Sequence, residues 1–207
     1  MKLETWLAFF VASWLISLSP GAGAIKSMST GMRYGYRKGL FNIFGLQLGI
    51  VVLIAIVAVG LGAVLATSAL AFEIIKWCGA AYLVWLGIKQ WRSEARPMEA
   101  EGDHGASPGQ LVLEGFLVNV SNPKGIVFLL AVLPQFIDPA LPQWPQYAIC
   151  AGTLVFTDLV VMSGYTLLAS RVLSALHEPH HVRWINRSFG ALFVGAGVFI
   201  ASFRRAS

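Results

Sequence analysis

The chain has 207 residues, of which 57% are hydrophobic and only 12% charged, with a formal net charge of +5. Water-soluble domains carry about 25% charged residues, so this balance excludes a soluble enzyme, a disordered chain and a nucleic-acid binder. Fifteen Lys and Arg are too few and too scattered to track phosphates; in so apolar a chain they suit orientation in a lipid bilayer.

A membrane-crossing helix needs about 20 mostly apolar residues. Six stretches meet that requirement: 3–28, 40–66, 70–91, 113–136, 146–170 and 184–203. The first imitates a secretory signal, with Lys2, an apolar run and the small residues Gly21-Ala22-Gly23-Ala24. Glu4 in the basic region and the length of the run argue that it is retained. The same stretch holds an interruption, Leu18-Ser19-Pro20-Gly21-Ala22-Gly23. Ser before Pro reads as an N-cap followed by a first helical residue, so one helix is expected to end and another to begin inside the membrane.

The next connection interleaves Gly31, Gly35 and Gly39 with Arg33, Arg37 and Lys38 and reads as a flexible basic turn. The second span carries Gly45-x-x-x-Gly49, a close-packing face, and Gln47, a neutral polar group at membrane depth. Cys78 and Cys150 lie in apolar runs without metal-ligand spacing and read as unpaired packing residues. After the third span comes SEARPMEAEGDHGASPGQ (93–110), rich in Gly, Pro and acid, which reads as a solvated linker. It divides the chain into a first three-helix repeat, 1–92, and a second, 111–207.

The fourth span repeats the interruption as Val120-Ser121-Asn122-Pro123-Lys124-Gly125, with Asn119 just before it. The fifth carries Asp158. Glu114 and Asp138 fall near span ends and read as interfacial. His177, His180 and His181 in LHEPHHVRW read as solvated surface. Trp6, Trp77, Trp91, Trp144 and Trp184 near span ends resemble an aromatic belt.

Nine Lys and Arg fall in the connections 1–2, 3–4 and 5–6, against four on the opposite side. The positive-inside rule then places those connections in the cytoplasm and both termini outside. An odd number of spans per half makes homologous halves inverted relative to each other, the plan of many secondary transporters. A shift of 111 residues lays Lys76-x-x-Gly79-Ala80-x-Tyr82 on Arg187-x-x-Gly190-Ala191-x-Phe193, and Gln47 on Asp158. The helices restarting after Pro20 and Pro123 would both turn N-termini, each carrying about +0.5 charge, toward the middle of the membrane, where they suit a carboxylate.

A carboxylate at the membrane centre costs about 2.5–3.5 kcal/mol on insertion scales, so Asp158 should face a cavity or a partner. It reads as a proton carrier or as the counter-charge for a substrate ammonium; the structural alternative is an ion pair with Lys124 or Lys26. Lys124 is placed to hold a substrate carboxylate or to pair with Asp158, and Lys26 to snorkel. Asn119, Asn122 and Gln47 line a path or hydrogen-bond between helices. No HExxH, GxSxG or Cys/His grouping points to an intramembrane enzyme, and no cofactor or metal is expected.

MKLETWLAFFVASWLISLSPGAGAI, GMRYGYRKG, GLQLG, KWCGAAYLVWLGIKQWR, FLVNVSNPKGIVFLLAVLPQF and the Asp158 span together resemble the LysE/RhtB family of amino-acid exporters, over essentially the whole chain. Within it the likeness is to the homoserine and homoserine-lactone branch. Ala22 stands where the family often has the second Pro of Pro-Gly-Pro, which favours that branch over lysine or arginine exporters. The resemblance implies an all-α protein of the bacterial inner membrane that exports small amino acids by the proton gradient, and it leaves open a homo-oligomer. The expected substrates are homoserine and its lactone, with another neutral amino acid such as threonine as the alternative and a non-transporting scaffold as the outsider. Ser19, Pro20, Gly21, Gln47, Asn119, Asn122, Pro123, Lys124 and Asp158 are the candidate residues for substrate binding or proton coupling.

Overall fold

The computed structural model describes residues 1–65 and 105–171, with single helical positions at 74, 77, 81, 84, 85, 88, 91, 92, 187, 191, 194, 195 and 198; side chains of 61–65 are not part of that description. The expected third and sixth spans, most of the 93–110 linker, Cys78 and the His177/His180/His181 tract therefore lie outside the described residues. Within them every regular element is helical: α1 (Leu3–Leu18), α2 (Ala22–Leu65), α3 (Pro108–Val120), α4 (Pro123–Ala131), a short 3-10 turn (Leu133–Phe136) and α5 (Gln143–Arg171).

Sixteen residues make α1 about 24 Å long, too short for a hydrocarbon core of about 30 Å. It crosses only if the chain beyond the break continues it. That continuation is the start of α2, which is folded on itself. Gly35 sits at φ 76°, ψ 170°, a conformation that residues with a Cβ rarely adopt. A Cβ at Gly23 would lie 3.5 Å from the Leu46 side chain, although 23 residues of straight helix would separate them by about 35 Å. Gly35 is thus the apex of a helical hairpin, with 22–34 as one arm and 36–65 as the other.

Both arms beside the turn pack closely against α5. Gly31 and Gly39, one on each arm, both press against Thr166 of α5 with no room for a side chain. The Thr166 hydroxyl also reaches the Ser27 carbonyl. Arg33 and Lys38 lie over the ring of Tyr34 at 5.1 and 5.7 Å, so the basic residues share one aromatic platform.

Small residues set the second contact. Gly45 and Gly49 meet the backbone and Asn119 of α3, and Gly115 of α3 meets the Asn42 carbonyl in return. Backbones can approach this closely only where side chains are missing. The helix before the fourth-span break begins at Pro108, inside the expected linker, because Ser107 and Gln110 form a complete capping box. From there α3 and the α4–3-10 segment form a pair bent by 53°.

The surface is apolar and the interior mixed. Leu3, Val11, Phe44, Val59 and Phe156 are exposed, while Ser13, Asn42, Thr157 and Thr166 are fully buried. Such a distribution suits lipid outside and polar contacts inside. The 22–60 segment, folded at Gly35, and α5 each contain an apolar stretch long enough to cross a membrane, as does the α3 pair taken as one span. Two apolar clusters fill the interior: Phe9, Ile54, Phe128, Leu133 and Tyr147 in one, Met28, Ile43, Leu46, Val161 and Met162 in the other.

Candidate functional site

The site is assembled from two interruptions and two polar side chains on neighbouring helices. Residues before Pro are driven to extended backbone, and both Ser19 (φ −68°, ψ 121°) and Asn122 (φ −76°, ψ 106°) obey. At the second interruption Asn122 caps the restarting helix, its side-chain oxygen accepting from the Lys124 N–H at 3.1 Å, with Pro123 as the first helical residue. The first interruption differs from the sequence expectation. Ser19 closes α1 as its C-cap, and the chain resumes helix only at Ala22, with the Gly21 carbonyl accepting from Ile25 N–H at 2.9 Å. Gly is itself tolerated as an N-cap, so Pro20 and Gly21 form the link and Ser19 does not cap the helix after it.

The two interruptions come together on one cavity of about 60 Å³, smaller than the usual pocket for a whole small molecule. Ser19, Gly21, Asn119, Asn122, Lys124 and Asp158 line it, together with Ser17 and apolar residues such as Leu46, Ile50, Phe128 and Met162. The cavity thus lies where the two apolar clusters meet. Pro20 and Pro123 shape its wall without lining it, and Gln47 stands behind Asp158.

Gln47 is the immediate partner of Asp158, donating from Nε2 to the carboxylate at 2.8 Å. These are the two positions that the 111-residue shift equates. Lys124 is the cation that faces Asp158, and Ser17 lies beside the same carboxylate. The Lys124 ammonium itself donates to the Ser19 carbonyl at 2.6 Å, joining one interruption to the other. Its side chain passes over Gly21, where a Cβ would come within 3.2 Å of Nζ. Asn119 donates to the Leu46 carbonyl at 2.5 Å, a hydrogen bond between helices, while also lining the cavity.

Lys26 is paired with Glu114 at 2.5 Å and so is no partner for Asp158; Glu114, expected only at an interface, bridges the α2 arm to α3. Tyr165 was not singled out by sequence, yet its hydroxyl reaches the Leu18 carbonyl at 2.5 Å. One tyrosine in an apolar helix gives no local signal of that role. Beyond the cavity, on the two arms that meet at Gly35, the side-chain polar atoms of Ser27, Thr30 and Asn42 are buried without a hydrogen-bond partner among the described residues. Among the described residues no group of three or more His, Cys, Asp or Glu gathers for a metal.

Chemically, the cavity offers one carboxylate, one ammonium, the Ser and Asn side chains of the two interruptions and an otherwise apolar wall. That suits a small molecule with an amine and a short neutral remainder. The LysE type translocator family profile matches residues 14–203. The chain is 46% identical to the homoserine/homoserine lactone efflux protein of Salmonella typhimurium over 206 residues, covering 100% of both chains. It is 30% identical to the leucine efflux protein of Enterobacter sp. over 97% of this chain and 96% of the relative. The threonine efflux protein of Salmonella typhi shares 26% over 88% and 90%. No solved structure matches the chain.

Proposed function

The chain belongs to the LysE type translocator family, and from that premise we propose that it is a secondary active exporter of small neutral amino acids and their amine derivatives, with homoserine and homoserine lactone as substrates. The observation that carries this reading is the convergence of two interrupted helices on a cavity holding both Asp158 and Lys124. Unpaired backbone and ionisable groups at membrane depth persist where they serve a path.

A zwitterion would set its carboxylate near the helix starts at Gly21–Ala22 and Asn122–Pro123 and its ammonium at Asp158. Asp158 is the one acid on the wall among the described residues, so a second cation on the substrate side chain would find no counter-charge. This disfavours dibasic amino acids. The names of the relatives extend the options to leucine and threonine, which the apolar wall of Leu46, Ile50, Phe128 and Met162 would also accept.

Transport proceeds by alternating access between two inverted three-helix repeats. The apolar clusters on either side of the cavity act as its two gates, and the buried polar groups of Ser27, Thr30 and Asn42 mark the route beyond one of them. Asp158 exchanges a proton for the substrate ammonium, so that the proton gradient drives efflux. The protein sits in the bacterial inner membrane with the Gly35 turn in the cytoplasm and both termini outside. Asp158→Asn, reconstituted in proteoliposomes, should lose proton-driven homoserine efflux by at least about tenfold while inserting normally. Full activity in that variant would sink the assignment, and a counterflow panel of labelled amino acids would rank the substrates.

A further inference from the structure

Two acceptors on the cavity wall differ in chemistry from its amides. Asn119 spends its amide N–H on the Leu46 carbonyl, and Asn122 spends its side-chain oxygen on the Lys124 N–H. The Ser19 carbonyl and the ionised Asp158 carboxylate, by contrast, can only accept. The first belongs to the C-terminal end of α1, where the aligned peptide dipoles leave negative partial charge that favours a cation. The second faces it across the cavity through one group, the Lys124 ammonium. Lys26, the other lysine near this region, is held by Glu114. Gly21 makes the arrangement possible, since Lys124 Nζ and Cδ lie 3.2 and 3.3 Å from the place a Cβ would occupy.

We propose that the Lys124 ammonium is a tethered stand-in for the substrate's own ammonium, bonded to the Ser19 carbonyl and facing the Asp158 carboxylate across the cavity until an arriving primary amine displaces it. This rests on the exporter reading above. A lysine head group and an amino-acid amine are the same chemical unit, each with three donors and no acceptor. Two of them cannot share one carboxylate and one carbonyl at contact distance without strong like-charge repulsion, so occupation is exclusive. Without a nearby cation the site would bury a carboxylate with Gln47 as donor but no counter-charge, and an open carbonyl, both costly. The tether removes that cost between cycles and sets how much binding energy a substrate must spend to enter. The group recognised here is the amine, whether or not the substrate has a carboxylate.

The alternative assignment, Lys124 as a clamp on the substrate carboxylate, predicts the opposite pattern. The test is Lys124→Met in proteoliposomes, with homoserine and homoserine lactone compared, the second being an amine without a carboxylate. Displacement predicts that KM falls about tenfold for both, in parallel, while maximal efflux drops as release slows. A KM that rises for homoserine and stays constant for the lactone, or that moves for neither, overturns the proposal. A second measurement does not depend on transport. Purified Lys124→Ala should be stabilised against heat by millimolar ethylammonium, which refills the vacated place, and the unaltered protein should not. Equal response of the two proteins overturns the inference by itself, whereas no homoserine efflux by the unaltered protein overturns the exporter reading.

Discussion

The two helix interruptions look alike in sequence, Ser-Pro-Gly against Ser-Asn-Pro-Lys-Gly, yet they are closed in different ways. The second is closed locally. Ser121 N–H and hydroxyl both return to the Leu117 carbonyl, at 3.0 and 2.6 Å, Asn122 N–H returns to Asn119, and the Asn122 side chain caps α4. The first has no side-chain cap of its own. Its freed carbonyls, Leu18 and Ser19, are taken by Tyr165 and Lys124 from the other half of the chain. A joint completed by its own neighbours is stiff, whereas one completed by distant side chains opens whenever those side chains move. The first interruption is therefore expected to be the looser of the two.

Three substitutions test this contrast. The largest effect should come from Tyr165→Phe combined with Lys124→Met, which leaves both α1 carbonyls open. Interhelical hydrogen bonds in membranes average about 0.6 and reach about 1.7 kcal/mol, and those to charged groups are stronger, so about 2 kcal/mol of stability should be lost. Hydrogen exchange should rise across 18–24 and stay unchanged across 119–125. Asn122→Ala should do the reverse, costing about 1 kcal/mol through loss of one N-cap and loosening 119–125 alone. Ser121→Ala should be smallest, about 0.5 kcal/mol, because its N–H still holds the same Leu117 carbonyl. Exchange that spreads equally over both interruptions in any of these variants would erase the distinction.

Charges stand out in apolar sequence, which is why Asp158 and Lys124 could be picked as a pair before any contact was known. The interruptions were equally visible, since Pro after Ser or Asn has few uses inside a helix. Which residue caps was readable at Asn122 and misleading at Ser19, because Pro20 can stand outside the helix when Gly21 follows it. Gln47 was legible as the repeat equivalent of Asp158, though not as its hydrogen-bond partner at 2.8 Å. The Ser107 capping box was also present in the letters, as Ser-Pro-Gly-Gln, and hidden only by the linker composition around it. Tyr165 and the Lys26–Glu114 pair were not legible. They join residues 147 and 88 positions apart, and nothing local marks either end.

That separation has a meaning for synthesis. Lys124 lies 105 residues after Ser19, roughly 5–20 s of translation at about 5–20 residues per second. During that interval α1 is already made, and two of its carbonyls have no final partner. The nascent first half must borrow water, lipid headgroups or the insertion machinery until the fourth and fifth spans arrive. The second half carries its caps with it as it emerges. The order of the chain therefore leaves the earliest-made joint to be the last one finished.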